Sequence, residues 1–106
     1  MNSMVTITKK DVAKRTAKLV GERIYTTEKI VDGVFAALRQ FMEEADPEIR
    51  IEIRDFGVFD VKKTRPKPKA RNPKTGEIIY VPARRKTHFK PGRLLKEVLK
   101  RPLGKE

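Results

Sequence analysis

Arg71-Asn72-Pro73-Lys74-Thr75-Gly76-Glu77 is the stretch on which the reading of the whole chain turns. Asn, Pro and Gly are turn formers for distinct reasons: Asn bonds its own backbone, the proline ring presets φ, and Gly accepts a left-handed φ. On its N-terminal side lies Lys62-Lys63-Thr64-Arg65-Pro66-Lys67-Pro68-Lys69-Ala70, a composition that no core can use. On its C-terminal side Ile78-Ile79-Tyr80-Val81 has strand propensity, and Arg84-Arg85-Lys86 then restores the basic character. The simplest arrangement is a long two-stranded ribbon projecting from a body, with Asn72 to Gly76 at its tip. Pro66, Pro68 and Pro82 are tolerable there, because an isolated ribbon leaves many backbone donors unpaired. On composition alone the Lys/Pro tract could equally be a solvated loop, since two strands are marginal in isolation.

Charge is localised in this stretch. Lys62 to Arg93 holds twelve Lys and Arg against the single Glu77, which is +11 of a net +12. Such a concentrated positive field attracts polyanions and releases their condensed counterions, so nucleic acid is the first partner to consider, with affinity falling steeply as salt rises. With 106 residues and 38% hydrophobic content there is room for one domain with a modest core, for which a second copy of the chain would be useful support. There is no Cys, hence no disulfide framework and no thiolate metal site, and the single His88 has no second His to share a metal. His88 reads as a strand residue near the core or the surface. No apolar run approaches the ~20 residues that span a bilayer, and no apolar secretory segment opens the chain, so a soluble intracellular protein is expected.

Taken in order, Thr8 and Asp11 form a capping-box pair with Ile7 and Val12 as a hydrophobic staple, so a helix is expected from about Lys9. Its apolar side comprises Val12, Thr16, Leu19 and Val20 with Ala13 and Ala17 beside them, and Gly21 ends it. A second helix is expected to start at Thr26, with a Tyr25 and Ile30 staple and Glu28 in the first turn. Ile30, Val31, Val34, Phe35, Leu38, Phe41 and Met42 then make a stripe broad enough for a dimer interface as well as a core. The acidic loop Glu43 to Pro47 closes that helix.

The period next changes from helical to two. Ile49, Ile51 and Ile53 alternate with Arg50, Glu52 and Arg54; Asp55-Phe56-Gly57 is a tight connection, and Phe59 and Val61 continue the apolar face of a second strand. Phe56, Phe59 and Phe89 are expected in a core rather than as base-stacking platforms. Pro91 occupies an expected first helical position, followed by Leu94, Leu95, Val98 and Leu99 on a short closing helix.

Three motifs in this order, Asp55-Phe56-Gly57-Val58-Phe59, the tip Arg71 to Glu77 and the run HFKPGRLLKEVL from His88 to Leu99, resemble the HU/integration host factor family of bacterial DNA-bending proteins. Ala83-Arg84-Arg85 is closer to integration host factor subunits than to HU. The resemblance covers nearly the whole chain and implies an α+β fold: two N-terminal helices, a three-stranded antiparallel sheet with a long protruding β-ribbon arm, and a short C-terminal helix, intertwined as a dimer. The implied layout is one domain over residues 1–101, with a helical dimerisation part at 8–46, sheet at 48–65 and 77–90, arm at 62–86 and closing helix at 91–100. Residues 102–106 would form a frayed tail. Two departures stand out: Asp55 replaces the usual Gly, and the lower arm between Phe59 and Arg71 has one extra residue, which a bulge or a Pro66-Lys67-Pro68 kink should absorb. The lengths of the connection between the helices and of the acidic loop also differ from the usual pattern.

By this resemblance the partner is double-stranded DNA, bound by a homodimer or by a heterodimer with a paralogue, whose arms lie in the minor groove. Pro73 would be the intercalating wedge, being apolar, rigid and without a donor, although the same residue would serve as a plain turn proline. Arg71 and Asn72 would reach groove acceptors. Lys62, Lys63, Arg65, Lys67, Lys69, Lys74, Arg84, Arg85 and Lys86 would neutralise phosphates along the arm, and Lys90 and Arg93 would hold flanking DNA against the body, with backbone donors at the helix start assisting. Val34, Phe35, Leu38, Phe41, Phe56 and Phe59 would supply core and dimer interface. No enzyme is expected, because neither a nucleophile with its base nor a phosphate-binding loop is present, and no cofactor, metal, membrane or small-molecule partner is implied. The expected location is the cytoplasm, on the nucleoid. A basic RNA-binding protein of ribosomal type is the rival reading.

Overall fold

The structure, a computed structural model, describes residues 4–104. Its elements are α1 (Lys9–Val20), α2 (Ile24–Glu43), β1 (Ile49–Ile53), β2 (Gly57–Lys63), β3 (Lys67–Arg71), β4 (Ile78–Val81), β5 (Arg85–Pro91) and α3 (Arg93–Leu99). They fall into two compact units that divide between Glu43 and Glu44.

In the helical unit, α1 begins as its sequence dictates. The Thr8 hydroxyl accepts from Asp11 N–H at 3.2 Å, and the Asp11 carboxylate accepts from Thr8 N–H at 3.0 Å, so the capping box is closed in both directions. Gly21, at φ 72°, ends the helix in the left-handed conformation that costs Gly nothing. α2 starts earlier than expected. Thr27 N–H already donates to Arg23 O at 3.0 Å, so Arg23 is the helix's first acceptor and Thr26 lies inside the helix, with Glu28 beyond the first turn. The Thr27 hydroxyl bonds back to the same carbonyl at 2.8 Å and so caps nothing.

The helices meet through small residues: Ala13 and Ala17 of α1 and Thr27 and Val31 of α2 are buried. The expected α1 stripe is therefore rotated toward its alanines, leaving Leu19 78% and Val20 exposed. Val34, Phe35 and Phe41 do not belong to the core of the single chain; Val34 and Phe41 are about half exposed, at 51% and 52%, while Leu38 is half-buried. Among the described residues no large side chain is fully buried. So much contiguous apolar surface on one small unit marks a face that another surface must cover.

In the second unit the sheet order is β1-β2-β5, all antiparallel. Ile49, Ile51, Ile53, Phe59, Val61 and Phe89 share one face by register, while Arg50, Glu52, Val58, Asp60, Lys62, Lys86, His88 and Lys90 share the other. Phe59 and Phe89 rings lie 4.7 Å apart between centroids and Phe56 and Phe89 5.2 Å, so the three phenylalanines form one cluster, at whose edge Phe56 stays 45% exposed.

The turn from β1 to β2 is closed by Phe56 N–H to Ile53 O at 3.0 Å, with Asp55 at φ 63°. That position has a left-handed φ, which glycine adopts freely and Asp tolerates better than most side chains. α3 begins at Arg93 with Gly92 as its N-cap; Pro91 is the last residue of β5, paired with Gly57, and not the first helical position. Of the tail expected to fray from Pro102, Lys105 and Glu106 lie outside the described residues.

Candidate nucleic-acid interface

The basic stretch forms an arm with one continuous register. From Gly57↔Pro91 to Lys67↔Val81, ten steps along β2 and β3 match ten steps back along β5 and β4. β3 and β4 are therefore the outward extension of β2 and β5. The ladder is interrupted where this register sets Pro66 opposite Pro82, because neither proline has an N–H to donate. Thr64 bridges the interruption from below: its N–H donates to Arg84 O at 2.7 Å, and its hydroxyl accepts from Arg84 N–H at 2.9 Å. Sequence reasoning missed Thr64, and only the register shows that it faces Arg84.

The lower arm carries a bulge, in the stretch where one was expected. Between Lys67 and Ala70 three steps on β3 oppose two on β4, from Val81 to Ile79, and pairing resumes at Arg71↔Ile78. The additional residue therefore sits at Pro68-Lys69, and the strand beyond keeps its pairing.

The tip is tightly tied. Asn72 N–H donates to Glu77 O and Gly76 N–H to Asn72 O, both at 2.7 Å, with Gly76 at φ 74°. Asn72 Oδ1 accepts from Lys74 N–H at 2.8 Å, and the Arg71 guanidinium braces the loop by donating to Gly76 O at 3.1 Å. Pro73 stands exposed at the apex of this closed loop. The bond from Lys74 fixes the amide of Asn72 with its oxygen toward the loop backbone.

The other residues expected at the site divide by position. Lys62 and Lys63 end β2; Lys67, Lys69 and Arg71 lie on β3; Arg65 and Arg84 flank the joint; Lys86 and Lys90 lie on β5; Lys74 is in the tip; all of these are exposed. Lys62 pairs directly with Lys86, and Lys63 with Arg85. Like charges facing across strands are destabilising without a polyanion between them. Arg85 also bonds within its own unit: its guanidinium donates to Ala45 O at 2.8 Å and ties the acidic loop to β5. Arg93 opens α3, 89% exposed in its side chain, and makes only a loose 3.6 Å contact with Glu97. The expected help from backbone donors there is reduced, because Gly92 N–H is already given to Phe56 O at 2.8 Å.

A helical pair and a three-stranded sheet that runs out into a basic, proline-tipped ribbon define a ribbon-armed nucleic-acid-binding protein. The chain belongs to the family described as Bacterial DNA-binding protein, whose model matches residues 7–100. It is 38% identical over 90 residues to an Integration host factor subunit alpha of Alkalilimnicola ehrlichii, covering 85% of each chain. It is 36% identical over 93 residues to the subunit of that name from Pseudomonas aeruginosa strain LESB58, covering 88% of this chain and 89% of the relative. Its fold matches that of the protein in an Anabaena HU–DNA cocrystal structure with a TM-score of 0.71 at 24% identity, over 91% of this chain and all of the other. Among the described residues no helix is long and apolar enough to cross a membrane, and no cluster of acidic or His side chains could hold a metal ion.

Proposed function

We propose that this is a non-enzymatic architectural protein that binds double-stranded DNA as a dimer, lays its paired ribbons in the minor groove and bends the duplex by inserting Pro73 between base pairs. The exposed Pro73 on a loop closed from both sides carries this reading. An insertion wedge must be apolar at its point and stiff behind it, and the bonds across Asn72 to Glu77 supply the stiffness. Unstacking costs a few kcal/mol per step, offset when the bent duplex brings more phosphates against cations. Lys62, Lys63, Arg65, Lys67, Lys69, Lys74, Arg84, Arg85 and Lys86 neutralise phosphates along the arm, with Lys90 and Arg93 at its root.

In this reading residues 8–46 dimerise, and the exposed faces of Val34, Phe35 and Phe41 are covered by a second copy or a paralogue. Residues 1–101 then act as one DNA-binding unit. Arg71 and the Asn72 amide meet acceptors common to A·T and T·A pairs, so selectivity follows groove shape and deformability more than base identity. The place of work is the nucleoid in the bacterial cytoplasm, in compaction or in the assembly of larger DNA complexes.

The test is the end-to-end distance of a short duplex labelled for energy transfer at both ends, with saturating wild type and with Pro73→Ala, binding being measured separately. Shortening by wild type that is largely lost in a variant that still binds supports the wedge. A duplex that neither protein shortens refutes bending and returns the arm to a charged clamp.

A further inference from the structure

One buried charge plays no part in that account. Asp60, on the central strand of the sheet, has a side chain only 8% exposed, yet it lies on the polar face. Its Oδ1 is 2.6 Å from Nδ1 of His88, its direct cross-strand partner, and has no hydrogen-bond donor besides that ring. A desolvated carboxylate is costly without a donor, and the His88 ring is the nearest one. His88 is 47% exposed and lines a hollow of about 280 Å³ with Lys62, Lys63, Thr64 and Lys86 at the root of the arm. Lys62, Lys63 and Lys86 supply the cations of that hollow, while the Thr64 hydroxyl is held by the Arg84 backbone.

We infer that His88 is a phosphate-binding residue of the DNA interface, positioned by Asp60, and that DNA binding is coupled to uptake of a proton by its imidazole. The inference rests on the DNA-binding reading above. With Nδ1 directed at the carboxylate, the neutral ring carries its proton there and leaves Nε2 free. A proton from solvent adds to Nε2, no bond is broken, and the new N–H donates to a phosphate oxygen as a charge-assisted bond.

Charges of both signs face the ring: Asp60 is its negative partner, and Lys62 on β2 and Lys86 and Lys90 on β5 share its face of the sheet. From β1, Arg50 faces Asp60 across the sheet but pairs with Glu52 at 2.9 Å, and the Glu48 carboxylate is held by Lys63 N–H at 3.1 Å. A phosphate in the hollow neutralises those lysines and gives the ring a second negative partner.

The experiment is calorimetry of the full chain binding a short duplex at constant ionic strength, between pH 5.5 and 8, in buffers of different ionisation enthalpy. Wild type is expected to take up a proton, at most about one per protomer, with affinity rising as pH falls by no more than about tenfold per pH unit for each His88 engaged. His88→Gln should bind more weakly than wild type at pH 5.5 and take up none. Asp60→Asn should take up less than wild type, because the ring loses the carboxylate that positions it. Equal uptake by wild type and His88→Gln, or binding by wild type without uptake, overturns the inference. Uptake by Asp60→Asn equal to that of wild type removes the positioning role. Absence of duplex binding by all three overturns the DNA-binding reading itself, and this inference with it.

Discussion

Among the glycines, Gly57 is the one at which an added methyl meets the closest obstacles. A Cβ at Gly57 would lie 2.5 Å from Lys90 O and 2.6 and 2.7 Å from two ring carbons of Phe89. The first obstacle is backbone, part of the strand pair Val58↔Lys90, and it cannot rotate away. The second is a ring held between Phe56 and Phe59, at centroid distances of 5.2 and 4.7 Å. Relief requires β5 to move off β2 at the root of the arm or the phenylalanine cluster to open. Over-packing of this kind costs about 1–3 kcal/mol, and with backbone as the obstacle the upper half, about 2–3 kcal/mol, is expected. For a domain of this size each kcal/mol corresponds to about 4–8 °C in Tm, so a fall of at least about 8 °C should be seen. Urea unfolding followed by circular dichroism, at matched protein concentration because a dimer's stability depends on it, measures the loss directly. Gly92→Ala is the internal comparison: its Cβ would meet Phe56 C and O at 3.3 Å, a contact that a small shift relieves, so its loss should be clearly smaller. A Gly57→Ala loss under about 0.5 kcal/mol, or one no larger than that of Gly92→Ala, would refute the close approach of β5 to this residue.

Two further expectations concern the departures and caps. At Asp55, with φ 63°, Val should cost about 1–2 kcal/mol, whereas Gly should be neutral or slightly stabilising in urea unfolding; equal tolerance of Val would contradict the left-handed turn. At the start of α1, the Thr8 backbone N–H and then the Thr8 hydroxyl hold the Asp11 carboxyl below its usual range. A lowered folded value means that this carboxylate's contribution is complete above the ordinary unfolded value of about 3.9 and is lost as pH falls through the folded one. Amide exchange at the helix start should therefore accelerate below about pH 4 in wild type and show no such step in Asp11→Asn, while Thr8→Ala should cost about 1 kcal/mol at neutral pH.

Short-range chemistry was legible without any structure. The Thr8 and Asp11 box, the Gly21 stop, the alternation from Ile49 to Val61, the turn at Asn72 to Gly76 and the need for a bulge between Phe59 and Arg71 all depend on residues a few positions apart. So does the localisation of charge, which is a count along the chain. Local signals also misled where two competed: Thr26 has the chemistry of a cap, but the chain had already turned helical at Ile24. Pro91 fits a first helical turn, yet as the last rung of β5 it needs no N–H of its own there.

What only the tertiary structure decided is which residues face one another across tens of positions. Register brought Pro66 opposite Pro82 and Thr64 opposite Arg84, turned Arg85 toward Ala45, and set His88 against a buried Asp60, none of which any window of sequence encodes. The physical reason is the two-residue period of a strand: one bulge at Pro68-Lys69 changes which residues pair beyond it, so partners are known only once every rung is counted. Local pattern together with the family resemblance sufficed to place a basic ribbon with a proline tip. Which of its charges stand free for a phosphate, and which are spent on the protein's own backbone, depends on that long-range pairing.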